Sequence, residues 1–439
     1  MLSRIQARQT RRCLAFLVLT AVCGLAQVDP GVRGGTPGAG APIAGLTAGE
    51  TDMFYNVATG TFAEVETVAE GFGPRFNLDS CAGCHIQPAT GGSSPAVNPQ
   101  FTQASIMAPG NTIPSFITLN GPVREARFIR NPDGSADGGV HDLFTITGRS
   151  DAPTGCAITQ PDFAAQLANH NVIFRIPTPT FGAGLMEEIT DTTIRKNLAS
   201  NPGVKFLLGI RGHVNTNGND GTVTRFGWKA QNKSLLIFAG EAYNVEMGVT
   251  NENFPNEREE DPNCATNGTP ESDDVFNVGS IGPSDITAFR AFMRFLDQPA
   301  PVTSYGSVSS ASIQNGRNLF ALVGCSLCHT PSLGTGSSST AALSHQTANL
   351  FSDLAVHHMG NGLADGVSQG SAGPDEFRSA PLWGLGQRIF FLHDGRTSDL
   401  LQAIEDHASN GSEANRVVAL FNALNRSQKQ DVLNFLRSL

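Results

Sequence analysis

Two pentapeptides, Cys81-Ala82-Gly83-Cys84-His85 and Cys325-Ser326-Leu327-Cys328-His329, repeat the pattern C-x-x-C-H at a separation of 244 positions. This is the attachment signature of c-type haem. Two thiols one helical turn apart can bond the two vinyl groups on one porphyrin edge, and the adjacent imidazole then reaches the iron from the same side. The fold must therefore present each motif as a helical turn against a porphyrin-sized cavity. Zinc would need two C-x-x-C pairs near each other, and a thioredoxin-like dithiol or a disulfide within each pair are further alternatives. The reading that follows is two covalently attached haems, on Cys81 and Cys84 and on Cys325 and Cys328, with His85 and His329 as iron ligands.

The other four cysteines bear on the compartment. Arg4, Arg8, Arg11 and Arg12 precede the apolar stretch Cys13 to Val22, and Gly24-Leu25-Ala26 supplies a small-x-small cleavage site. Residues 1–26 thus read as a signal peptide, too short in its apolar part to span a bilayer. Lipidation at Cys23 is the alternative, and Val22 is a poor residue just before a lipidated Cys. Export to the periplasm or an equivalent space is expected. In that oxidising setting Cys156 and Cys264 are expected to form a disulfide, free thiols being the alternative. Cleavage would leave 25 basic and 39 acidic side chains, a net of −14. That acidity excludes nucleic acid and favours a basic redox partner. No other apolar run reaches membrane length, so no membrane span is expected in the mature chain.

Residues 27–45, rich in Gly, Pro and Ala, read as a flexible leader. Beyond them the chain repeats itself. Ser284 to Leu296 (SDITAFRAFMRFL) and Ser427 to Leu439 (SQKQDVLNFLRSL) align without a gap. Each opens on a Ser at a plausible N-cap, followed by apolar residues at helical spacing: Ile286, Phe289, Met293 and Leu296, against Val432, Phe435, Leu436 and Leu439. Ile313, Gly316, Phe320 and Val323 form one face of a helix running into the second motif, with Gly316 allowing close approach to the terminal helix. A second echo pairs Pro179-Thr180-Phe181-Gly182-Ala183-Gly184 with Pro381-Leu382-Trp383-Gly384-Leu385-Gly386. The organisation expected is mostly α, with two cytochrome c-like haem domains. Residues 46–298 form the N-terminal domain, enlarged by loop insertions, and 306–439 a compact C-terminal one, with Pro299-Ala300-Pro301 as hinge.

At FNLDSCAGCH (76–85), RFGWKA (225–230) and the block from Phe377 to His407 the chain resembles the di-haem oxidoreductase family, itself similar to bacterial di-haem cytochrome c peroxidases. The resemblance implies electron entry at the C-terminal haem and reduction of hydrogen peroxide at the N-terminal one. The electrons would come from a small cytochrome or similar redox protein. It implies that His407, fourteen positions after His393, is the sixth ligand of the C-terminal iron, where relatives usually carry Met. Two imidazoles would give a lower potential than imidazole with thioether. It further implies that Trp228 lies between the haems and that Glu246 is the acid that shuttles the peroxide proton.

Some features depart from that pattern. Residues 86–140 contain no His, so the removable distal ligand of relatives has no counterpart before His141, with His170, His213 and Met247 as later candidates. Arg388-Ile389-Phe390 stands where some relatives have Thr-x-Pro near a calcium, so calcium is not carried over. His357, His358 and Met359 are consecutive, and adjacent helical residues do not face one another, so they are expected to flank the second haem without forming a metal site. Two rival functions remain: a non-catalytic di-haem electron carrier, and a haem oxidase acting on thiols or a partner protein.

Overall fold

The structure, a computed structural model, describes residues 27–106, 110–259, 261–272 and 283–439. The signal peptide and Cys23 lie outside the described residues. Helix outweighs strand, 33% to 11%, and the strands among the described residues make only four two-stranded antiparallel sheets.

The two segments that repeat in the sequence are both helices, Asp285–Phe295 and Arg426–Ser438, each burying its apolar stripe. Ser284 caps the first by position, although its hydroxyl bonds Glu252 instead of the helix backbone. The second begins two residues earlier than a cap at Ser427 would give. Asn425 is the N-cap and forms a capping box with Gln428, because its amide oxygen accepts the Gln428 N–H while the Gln428 side chain returns to the Asn425 backbone.

Helix Ser310–Leu322 crosses the terminal helix at Gly316. A Cβ there would stand 1.9 Å from the Asp431 carbonyl oxygen and 2.8 Å from the Phe435 Cβ, so only glycine admits this crossing. The second echo performs the same job twice. A Cβ on Gly184 would meet the carbonyl of Arg294 at 2.0 Å, and one on Gly386 the carbonyl of Arg437 at 2.1 Å. Arg294 and Arg437 occupy equivalent positions in the two aligned helices, so the sequence repeat corresponds to a repeated packing contact.

Two cores form around these helices. One gathers Phe54, Phe62, Phe289, Phe292 and their neighbours but also takes in Leu333, Leu350 and Trp383 from the second half. The other is built from Phe320, Phe421, Phe435 and Leu436. The two halves are thus packed on one another. Pro299-Ala300-Pro301 is packed between them: Ala300 N–H donates to Gly38 and Val302 N–H to Ser438, both at 2.8 Å.

The segment read as a flexible leader is tied down as well. Asp29 pairs with the buried Arg437, Arg33 is itself buried, and Ile43 N–H donates to Phe295. A Gly/Pro-rich composition signals missing helix and strand, and these contacts come from side chains that such composition does not weigh. Cys156 and Cys264 form a disulfide, joining loops 108 positions apart. No described helix is long and apolar enough to cross a membrane.

Candidate haem sites

Each C-x-x-C-H motif forms one helical turn. Cys81–Cys84 is a short α-helix and Cys325–Leu327 a 3₁₀ turn, and the N–H of His85 and of His329 closes back on the first cysteine's carbonyl at 3.0 and 2.9 Å. At Gly83 a Cβ would lie 2.3 Å from a Leu78 methyl, so a larger residue there would have to displace the Leu78 side chain. All four cysteines are free thiols. Burial pushes Cys81 and Cys325 up to about 12 and Cys84 well above the ordinary thiol value, so they are held as neutral thiols.

The C-terminal motif opens on a cavity of about 1440 Å³ lined mainly by apolar side chains. His329 and His407 face each other across it, ring centroids 6.5 Å apart. Two imidazoles that each hold one metal ion through a nitrogen at roughly 2 Å would have centroids about 6 Å apart. Nδ1 of His329 bonds the Phe351 carbonyl at 3.1 Å and Nδ1 of His407 the Ala403 carbonyl at 2.7 Å. Those bonds fix the tautomer and leave Nε2 as the lone-pair nitrogen. Burial, then His407, holds His329 down to about 4, and burial also lowers His407, so both rings stay neutral and able to ligate.

His357 and Met359 also line this cavity. They belong to a strand, Val356–His358, and its end, and not to a helix. Strand alternation turns His357 inward, onto Asp353 at 3.1 Å and Glu413 at 3.0 Å, and His358 outward.

The N-terminal motif opens on a second cavity, about 1180 Å³, of different chemistry. Nδ1 of His85 bonds the Gly92 carbonyl at 3.1 Å, and the Thr178 carbonyl also acts on the ring. Among the described residues no other histidine lines this cavity. His141 stacks on Phe128 and bonds Asp137, His213 bonds Glu376, and neither these nor His170 reaches it. Met247 does line it, its sulfur 3.8 Å from the Cys81 sulfur.

Helix Leu235–Met247, capped by Ser234 and ended by Gly248 at φ +80°, carries Glu246 to the cavity wall. Glu246 accepts from Asn77 Nδ2 at 3.0 Å, and Asn77 also donates to the buried Asp142 at 3.2 Å. Glu125, also in the wall, shares a carboxyl–carboxyl hydrogen bond with Glu246 and is ion-paired with Arg127. Burial and the Glu125 carboxylate push Glu246 well above the ordinary carboxyl value. For Glu125, burial is outweighed by the Arg127 guanidinium, which keeps it ionised. The two shifts run in opposite directions, so of the pair Glu246 is the carboxyl that keeps a proton more readily. Sequence reasoning missed Glu125: it sits in the short strand Glu125–Phe128, 121 positions from Glu246, and the only hint was a charged pair within a buried strand.

Trp228 lines both cavities. Its indole N–H donates to the Ile176 carbonyl at 3.0 Å, and its ring lies 6.4 Å from that of His393, which stacks on Phe377 at 4.2 Å. Burial brings His393 down to about 4, so this buried ring is neutral.

A half-buried cysteine pair, an imidazole with a fixed tautomer and an adjoining cavity at each motif define a protein whose residues suit haem. The family model described as "di-haem oxidoreductase, putative peroxidase" matches residues 125–439, and the chain belongs to that family. The match takes in Trp228, Glu246, the Cys325–His329 motif and His407 and begins beyond Cys81–His85. Haem and an oxidoreductase role follow from the family. A structure titled Kuenenia stuttgartiensis hydrazine synthase, pressurised with xenon at 20 bar, aligns at 18% identity with a TM-score of 0.24, covering 36% of this chain and 56% of that chain. No curated protein matches the chain.

Proposed function

We propose that the protein is an exported di-haem c enzyme that reduces hydrogen peroxide with electrons from a small redox protein. Entry is at the C-terminal haem and use at the N-terminal one. The observation that carries the proposal is the asymmetry of the two cavities. One sets two neutral imidazoles, His329 and His407, with ring centroids 6.5 Å apart, and a bound iron that took both as ligands would have no position left for a substrate. The other has a single imidazole and a carboxyl pair with a mobile proton. Haem bound at the two motifs would supply electron storage and a metal centre for peroxide.

The chain's own residues do the rest. Glu246 holds a proton that it can give to the departing oxygen, and Glu125, ionised beside Arg127, is placed to exchange that proton with it. Asn77 orients Glu246 by donating to its second oxygen. Trp228, in the wall of both cavities, is the side chain through which the two sites are coupled.

An electron carrier would require both irons to be capped, and the lack of a second histidine among the described residues lining the N-terminal cavity disfavours it. The test is EPR and absorption spectroscopy of the haem-loaded chain, followed by peroxide turnover. A high-spin fraction at the N-terminal haem with turnover is the expected result. Two fully low-spin haems inert to peroxide would leave only the carrier. Peroxide consumption that depends on one partner protein would favour the oxidase reading.

A further inference from the structure

We propose that Arg378 and Arg388 are the receptor for the two carboxylates of the haem at the C-terminal motif, an assignment that rests on the haem reading above. Both line the cavity of His329 and His407, and both also line the smaller cavity that separates it from the N-terminal one. Their exposures are 6% and 8%.

Among the described residues neither pairs with a carboxylate. Arg378 donates Nε to the Gly227 carbonyl at 3.0 Å, while its Nη1 has no partner. Arg388 reaches the Pro381 carbonyl through Nη2 at 3.4 Å, and its Nε has none. Burial lowers both to about 10, with Arg388's charge adding to the effect on Arg378, so both remain cationic at neutral pH.

A buried ion without a partner costs several kcal/mol. Two such ions side by side in a largely apolar cavity require a dianion. The nearby acids are already engaged, since Asp353 and Glu413 both hold His357. Porphyrin brings two carboxylates, and the guanidinium fork matches carboxylate geometry. In the N-terminal cavity Arg127 and Arg175 are paired with Glu125 and Asp365, while Arg124 bonds the Phe116 and Asp394 carbonyls and stacks on Phe174.

The test is spectroelectrochemical titration of the haem-loaded full chain. A guanidinium beside a haem favours the reduced form, so Arg378→Gln and Arg388→Gln each lower the C-terminal midpoint potential. The expected shift is about ten-fold in the one-electron equilibrium, or about 59 mV, with the N-terminal potential held. Arg→Lys at either position keeps the charge and most of the potential. If the Gln variants lose this haem while the Lys variants keep it, the proposal also stands. It is overturned by a folded Gln variant with unchanged potential, by equal shifts in Gln and Lys variants, or by haem loss in both. A wild-type chain that takes up no haem would remove the underlying haem reading instead.

Discussion

Two C-x-x-C-H turns of nearly identical geometry open on cavities that differ in almost everything else. The C-terminal cavity closes its far side with His407 and is otherwise mostly apolar. The N-terminal one offers no second imidazole among the described residues and carries Glu125 and Glu246 in its wall, with the buried Asp142 linked to Glu246 through Asn77. The close contacts at Gly184 and Gly386 are alike, while the cavity walls differ. On the proposed reading the attachment motif places a haem, and the opposite wall decides its use.

The largest effect should come from removing one side of the comparison. Cys81→Ser with Cys84→Ser is expected to abolish peroxide turnover and to remove one haem from the mass spectrum, leaving the low-spin C-terminal signal intact. Persistent turnover would put the chemistry at the other site. Glu246→Gln keeps the haem and removes the proton, and should cost about 10²–10⁴-fold in kcat. Glu125→Gln should cost less, because Glu246 retains its own proton. A donor must be protonated, and burial with Glu125 raises Glu246, so turnover should persist to higher pH than an ordinary carboxyl allows and then fall on an alkaline limb as rising pH removes the proton. That alkaline limb should vanish in Glu246→Gln. An unchanged kcat–pH profile would take Glu246 out of the mechanism.

On the C-terminal side, His407→Met tests the sixth ligand directly. Thioether in place of imidazole should raise that haem's potential by more than ten-fold in its one-electron equilibrium, over about 59 mV. A potential that does not move would mean that His407 does not ligate.

Much of this was legible in the sequence because the constraints were local. The C-x-x-C-H spacing is a covalent requirement written in five consecutive residues, and the two terminal helices advertise themselves by apolar periodicity. Gly316 could be read because close helix crossings admit only the smallest residue. What escaped was long-range and polar. Glu125 meets Glu246 only after a strand and a helix have packed, and Arg378 and Arg388 look like any surface arginines until burial removes their water. The leader's contacts escaped for the same reason. Its composition forbids regular structure, yet Asp29 finds Arg437 some 408 positions away.

The smallest predicted effect asks whether the two halves share more than motifs. Gly184→Ala and Gly316→Ala each place a methyl about 2 Å from a backbone carbonyl oxygen, Arg294 in one case and Asp431 in the other. Neither carbonyl can move without shifting its helix, so overpacking should cost about 1–3 kcal/mol at each site, read as a lowered thermal midpoint in calorimetry. The first core takes in Leu333, Leu350 and Trp383 from the second half of the chain, so a single shared transition is expected to move in both variants. If Gly316→Ala instead splits the transition and leaves the N-terminal haem's melting unchanged, the halves unfold independently, and the C-terminal half is then an autonomous unit whose packing against its neighbour contributes little.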